Sequence, residues 1–250
     1  MEFHPHIHLF EQGQRWKYII IGTFPPNTSI RSKLYIDYFY GNKGFLWKII
    51  HDLYKDQGYN FFAGSMQENL AEIQRWQQDY CVGLTDTIVR CSRKHPLSSN
   101  DSDLIDIGYN YSLKDYVLRN SSTIVKLIFT SSYGKNSAFE NFKVIMNGDL
   151  ALIREKLVIG LPSPSGSANI TFFNTWNEKT LGLTEDFYSY VKQHHPDQLP
   201  RFEERWRLKK LKRSGKGNNA DIVIPASPAG LVKAYKLFRY RQALPSEKCT

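Results

Sequence analysis

Residues 17–27 read KYIIIGTFPPN. Three consecutive isoleucines ended by glycine, proline and asparagine have the pattern of a strand buried on both faces and stopped by a turn. Strands of that kind belong to parallel sheets covered by helices on each side. The same pattern recurs downstream. Val82–Val89 reads as a strand, or a strand running into a turn. Val125–Thr130 (VKLIFT) and Leu157–Gly160 read as two more. Between them lie helical periodicities. Gly44 to about Asp56 carries Phe45, Ile49 and Leu53 at spacing four. Gln67–Trp76, Leu113–Leu118 and a segment running through Phe142 read as helices, as does Trp176–His194. Strand and helix in alternation predict an α/β fold with helices on both faces of a parallel sheet.

In such a fold ligands bind beyond the carboxyl ends of the strands. Three loops leave those ends: GTFPPN at 22–27, FTSSYGK at 129–135 and LPSPSGSAN at 161–169. They are expected to line one crevice. The last, with two Ser-Pro pairs, is stiff at the prolines and rich in small hydroxyl donors.

The chain has 250 residues, of which 41% are hydrophobic, enough for one domain of about 200 residues plus an appendage. Its net charge of +9 points to an anionic partner, most commonly nucleic acid. Cys81, Cys91 and Cys249 form neither a disulfide framework nor a zinc signature. The start, MEFHPHIHLFEQG, has the features of neither a signal nor a transit peptide, and no apolar run approaches a membrane span. These features predict a cytoplasmic protein. His4, His6 and His8 alternate; they read as a solvated or strand-entry segment, with metal binding as the competing reading. From about Leu199 the composition changes. Residues 205–219, RWRLKKLKRSGKGNN, hold seven Lys/Arg and no acid. Asp221–Pro225 follows as a possible short strand. Ser227-Pro228 then opens a helix to about Gln242, serine as N-cap and proline in the first turn. The expected division is 1–198 and a basic C-terminal extension at 199–250.

Five segments in order carry a resemblance: IIIGTFPPNTS (19–29), DYFYGNKGFLWKII (37–50), GLTDTIVRCSRKHPLSSNDSDL (83–104), LIFTSSYGKNSAFENF (127–142) and LPSPSGSAN (161–169). Together they resemble the uracil-DNA glycosylase superfamily, nearest to its hypoxanthine-DNA glycosylase and mismatch-specific uracil glycosylase branch. The resemblance spans roughly residues 15–195 and leaves out the C-terminal 50. It implies a three-layer α/β/α sandwich around a four-stranded parallel sheet. It also implies base excision by a DNA glycosylase, with DNA as partner, no cofactor and no metal. No lysine stands out for a Schiff-base lyase step, so the enzyme is expected to be monofunctional, and a monomer.

The resemblance also assigns roles. Gly22, Thr23, Phe24 and Pro25, with Tyr40, Ser131 and Ser132, would surround the flipped base, and the small serines would leave room for a bulky one. Phe24 stands where many relatives place an acid or amide that activates water, so it would stack on the base instead. Asn42 is then the first choice for positioning water, with an N-cap as the competing role, and Asn27 the second. Asp86, and the acids of the SSNDSD loop, could accept from an exocyclic amine; turn formation is the competing role for Asp101 and Asp103. Leu161 replaces the His or Asn that contacts the base oxygen in several families. Ser163, Pro164, Ser165 and Gly166 would press the DNA beside the flipped nucleotide. Lys135 would contact the base or the DNA backbone. Outside the resemblance, the charge of the basic segment assigns Arg207, Lys209 and Lys210 to phosphates, with a solvated helix face and linker as the competing role. The substrate would be uracil or hypoxanthine, in repair, or a hypermodified cytosine such as a glucosylated hydroxymethylcytosine of phage DNA, in antiviral defence. The alternative is a non-catalytic DNA-binding module on the same scaffold.

Overall fold

The computed structural model describes residues 1–10, 14–26, 35–41, 45–164, 229–249 and scattered positions within 189–214. The chain divides into two compact units. One is Met1–Pro164 with Arg239–Thr250, the other Ser165–Phe238. The last twelve residues therefore fold with the first unit, a boundary that composition alone places elsewhere.

The first unit begins with β1 (Glu2–Phe3) and β2 (Tyr18–Gly22). Helices α1 (Phe45–Tyr54) and α2 (Met66–Tyr80) follow, then β3 (Val82–Asp86), β4 (Ile88–Arg93) and β5 (Leu104–Tyr109). Next come α3 (Tyr111–Arg119), β6 (Lys126–Phe129), α4 (Ala138–Met146) and β7 (Leu157–Val158). Helix α5 (Ala229–Ala243) starts in the second unit and ends in the first.

A four-stranded sheet in the order β3-β2-β6-β7 is parallel throughout. Ile19 and Ile21 of β2, with Leu127 and Phe129 of β6, pack against Leu113 and Val117 of α3 and Ala138, Phe142 and Met146 of α4. Successive strand residues face opposite sides. Ile20 and Ile128 therefore face the other side, and they are fully buried too. Covering each of these side chains contributes about 2 kcal/mol. The fold is the α/β/α sandwich expected from the alternation of elements. Trp47 of α1 and Trp76 of α2 meet edge to face at 6.2 Å, joining those two helices. Helix α2 begins with a capping box, Ser65 accepting from the Glu68 N–H and Glu68 from the Ser65 N–H.

A second sheet, β1-β4-β5, is antiparallel. Of the two readings of Val82–Val89, the structure has the strand running into a turn, followed by the start of a further strand. The break is at Thr87, whose N–H and hydroxyl both reach back to the Gly22 carbonyl, at 3.0 and 3.2 Å. β3 thus ends at the edge of the parallel sheet, and β4 starts a new one. The expected helix over Trp176–His194 falls mostly outside the described residues, as do Asp221–Pro225 and Ser227-Pro228.

Candidate active site at the carboxyl end of the parallel sheet

The ends of three parallel strands meet. Thr23, just past β2, and Ser131, just past β6, approach hydroxyl to hydroxyl at 3.2 Å. Ser132 accepts from the Gly160 N–H beyond β7 at 2.7 Å. The parallel register at β2-β3 and β2-β6 places these strand ends side by side.

Below them lies a buried polar floor. Asp86, the last residue of β3, accepts from His4 Nε2 at 2.7 Å. The His6 N–H donates to His4 Nδ1 at 3.1 Å, so the ring proton is on Nε2 and points at Asp86. A Cβ on Gly22 would lie 2.2 Å from both Asp86 Oδ1 and Tyr40 Oη. Only glycine leaves space for those two oxygens. Tyr40 Oη meets Thr130 Oγ1 at 3.0 Å, and Tyr40 holds a positive φ of 54°. Burial and the neighbouring Asp86 charge hold the Tyr40 hydroxyl well above its usual range.

A second carboxylate joins this group. The Thr23 hydroxyl donates to Asp101 Oδ2 at 2.9 Å. Burial, assisted by the Asp86 charge, pushes the Asp101 carboxyl up to about 6 against that hydrogen bond and Arg93. The loop bearing Asp101 is held by Asn136, whose amide donates to the Asp101 and Leu104 carbonyls, both at 2.9 Å. Arg93 ties the first loop down. It donates to the Pro25 carbonyl at 2.7 Å, to the Ser98 carbonyl at 2.9 Å and to Glu2 at 2.8 Å.

Of the residues singled out in the sequence, Gly22, Thr23, Pro25, Tyr40, Asp86, Ser131 and Ser132 come together here. Phe24 has another place. Its ring is buried with Ile88, Cys91 and Leu104, edge-on to His4 at 5.6 Å. The ring expected to stack on the base is buried in that cluster instead, where an apolar side chain is stabilised by leaving water. Leu161 is buried as well. Lys135 is exposed, beside Tyr133 at 78% exposure, and Ser163 and Pro164 end the described part of their loop. Arg207, in the second unit, is exposed. Asn27, Asn42, Ser165, Gly166, Lys209 and Lys210 lie outside the described residues.

Sequence reading missed His4 as a partner of Asp86, and favoured a turn role for Asp101. It also missed Asn136 and Arg93. Among the described residues no three His, Cys, Asp or Glu side chains are grouped to hold a metal ion, and His4 is instead engaged with Asp86. No described helix is long and apolar enough to cross a membrane.

The fold and site define an α/β/α sandwich with two acidic side chains and a ring of hydroxyls at the carboxyl ends of its parallel strands. Comparison with protein-family models, curated proteins and solved structures gave no match.

Proposed function

We propose that this protein is a monofunctional DNA glycosylase. Its resemblance to the uracil-DNA glycosylase superfamily supports the reading. The observation that carries it is the meeting of three strand ends, through Thr23–Ser131 and Ser132–Gly160, beside Asp86 and Asp101.

A base inside a duplex is out of reach of any side chain, so the target nucleotide must first swing out of the stack. The bond from C1′ to the base nitrogen then breaks, and its electron pair leaves with the base. The sugar becomes cationic in the transition state. Asp86 and Asp101 supply negative charge for it from a largely desolvated site, where such charge acts strongly. Water adds through oxygen to C1′; one of its protons goes to the departing base, and an abasic site remains. Asn42 and Asn27 are the proposed groups for holding that water. Exposed Lys135 and the net charge of +9 suit a phosphate backbone. The reading calls for no cofactor, and for a monomer acting in the cytoplasm.

The substrate is uracil or hypoxanthine on a repair reading, or a hypermodified cytosine of phage DNA on a defence reading. The test is abasic-site formation on duplexes carrying uracil, hypoxanthine, hydroxymethylcytosine or glucosylated hydroxymethylcytosine, with Asn42→Ala in parallel. Release of one of these bases supports the proposal. Binding without release from any of them favours the second reading, a non-catalytic DNA-binding module, for which the inward-turned Phe24 is the favouring observation. A borohydride-trapped covalent DNA adduct would replace "monofunctional" with a Schiff-base lyase.

A further inference from the structure

The hydroxyl protons around this site have a direction. The Ala138 N–H, in the first turn of α4, donates to Ser131 Oγ at 2.9 Å. The single Thr23 hydroxyl proton is used on Asp101 Oδ2. The 3.2 Å contact between Thr23 and Ser131 is therefore made by the Ser131 proton. One chain thus runs from Ala138 through Ser131 and Thr23 and ends on the Asp101 carboxylate. A second chain has the same polarity. Thr130 donates to the Ile21 carbonyl at 3.3 Å, so Tyr40 donates to Thr130 at 3.0 Å. The third is the His4 Nε2–H on Asp86.

In each chain the protons are consumed internally. Thr23 and Tyr40 keep only lone pairs for a newcomer, and the two carboxylates carry charge. Among the described residues, Thr23 is the only hydrogen-bond donor to the Asp101 carboxylate. Asp101 is partly exposed while Asp86 is buried, so Asp101 is the acceptor a ligand meets first.

We propose that Asp101 selects a flipped base bearing an exocyclic amino group, which donates to its carboxylate, over a base bearing an oxo group at the same position. The inference rests on the glycosylase reading and narrows its substrate class. An oxo oxygen facing Asp101 would put two acceptors together with no proton between them, and leaving such groups unpaired is what makes polar sites selective.

The charged and titratable groups around Asp101 are Asp86 from β3, Arg93 from β4 and Tyr40. Its carboxyl titrates at about 6. At lower pH it carries a proton and becomes a donor, so preference for the amino base fades as pH falls through that value.

The test uses 5-hydroxymethylcytosine and 5-hydroxymethyluracil at one position of the same duplex, a pair that differs in the exocyclic amino or oxo group and in the proton that the oxo base carries on N3. Abasic-site formation is measured on both. Equilibrium binding is measured on 2′-fluorinated versions, in which electron withdrawal at C1′ blocks cleavage. At pH 7.5 the amino base should be preferred by about tenfold or more in binding. The preference should shrink toward pH 5 in the wild type, and Asp101→Asn, whose amide can donate, should reverse it. Equal binding of the two bases by the wild type, or a ratio indifferent to pH and to Asp101→Asn, overturns the inference. Base release without discrimination sinks this inference and leaves the glycosylase reading standing. Amino-selective binding with no release from any substrate sinks the glycosylase reading and supports the selectivity.

Discussion

His4 Nε2 donates to Asp86 Oδ2 at 2.7 Å across 82 residues of sequence. The bond joins the segment after a two-residue strand of one sheet to the last residue of a strand in the other. Removing the imidazole leaves a buried carboxylate without its donor, which costs about 1–3 kcal/mol. His4→Ala should therefore lower the thermal midpoint clearly. His4→Gln, which restores an N–H, should recover part of the loss. Equal midpoints for the two variants would show that the hydrogen bond is not what His4 supplies.

Gly22 gives a second prediction. A methyl group there meets Asp86 Oδ1 and Tyr40 Oη at 2.2 Å, so at least one of those oxygens must move. Gly22→Ala should cost about 1–3 kcal/mol by overpacking. Tyr40→Phe in the same chain removes one of the two clashes and should return part of that stability. Denaturant unfolding of the single and double variants measures the coupling.

Asp101 sets a pH dependence. Its folded carboxyl sits at about 6, against 3.8 for the unfolded reference. Between those values the folded chain holds the proton more tightly, so stability falls as pH rises through the window and stays lower above it. Asp101→Asn removes the charge while keeping an acceptor for Thr23. It should stabilise the protein by on the order of 2 kcal/mol at pH 7.5 and by little near pH 3.8. Unfolding curves at the two pH values test this. A gain of equal size at both would remove the titration argument.

The C-terminal tail is a structural part of the first unit. Tyr54 donates to the Pro245 carbonyl, Lys248 pairs with Asp79 at 2.8 Å, and the Cys249 N–H reaches the Asp79 carbonyl at 2.7 Å. Deleting residues 245–250 should cost about 2–4 kcal/mol, and Tyr54→Phe a smaller share. An unchanged midpoint after the deletion would mean that the tail only rests on the surface.

The parallel sheet was legible because its two central strands carry unbroken apolar runs. Ile19–Ile21 and Leu127–Phe129 show no alternation of polar and apolar residues, so they fit between two layers of helices. The loops at their ends followed from topology. The antiparallel sheet was not legible: β1 has two residues, and its pairing with β4 joins Glu2 to Cys91. No local pattern encodes such a contact. The same holds for His4 and Asp86. Asp101 was obscured for another reason. In SSNDSD every residue suits a turn, and only the tertiary hydrogen bonds from Thr23 and Asn136 separate Asp101 from its neighbours. Phe24 was misjudged because a phenylalanine after a strand can stack on a ligand or fill a core, and local sequence does not choose between them.

The most direct measurement is abasic-site formation by the wild type and by Asp86→Asn on the four-base panel of uracil, hypoxanthine, hydroxymethylcytosine and glucosylated hydroxymethylcytosine. Asp86→Asn keeps an acceptor for His4 and removes only the charge. The account predicts base release by the wild type from at least one substrate, and a loss of about 100-fold or more in the variant. No release from any of the four, or equal release by the two proteins, would contradict it.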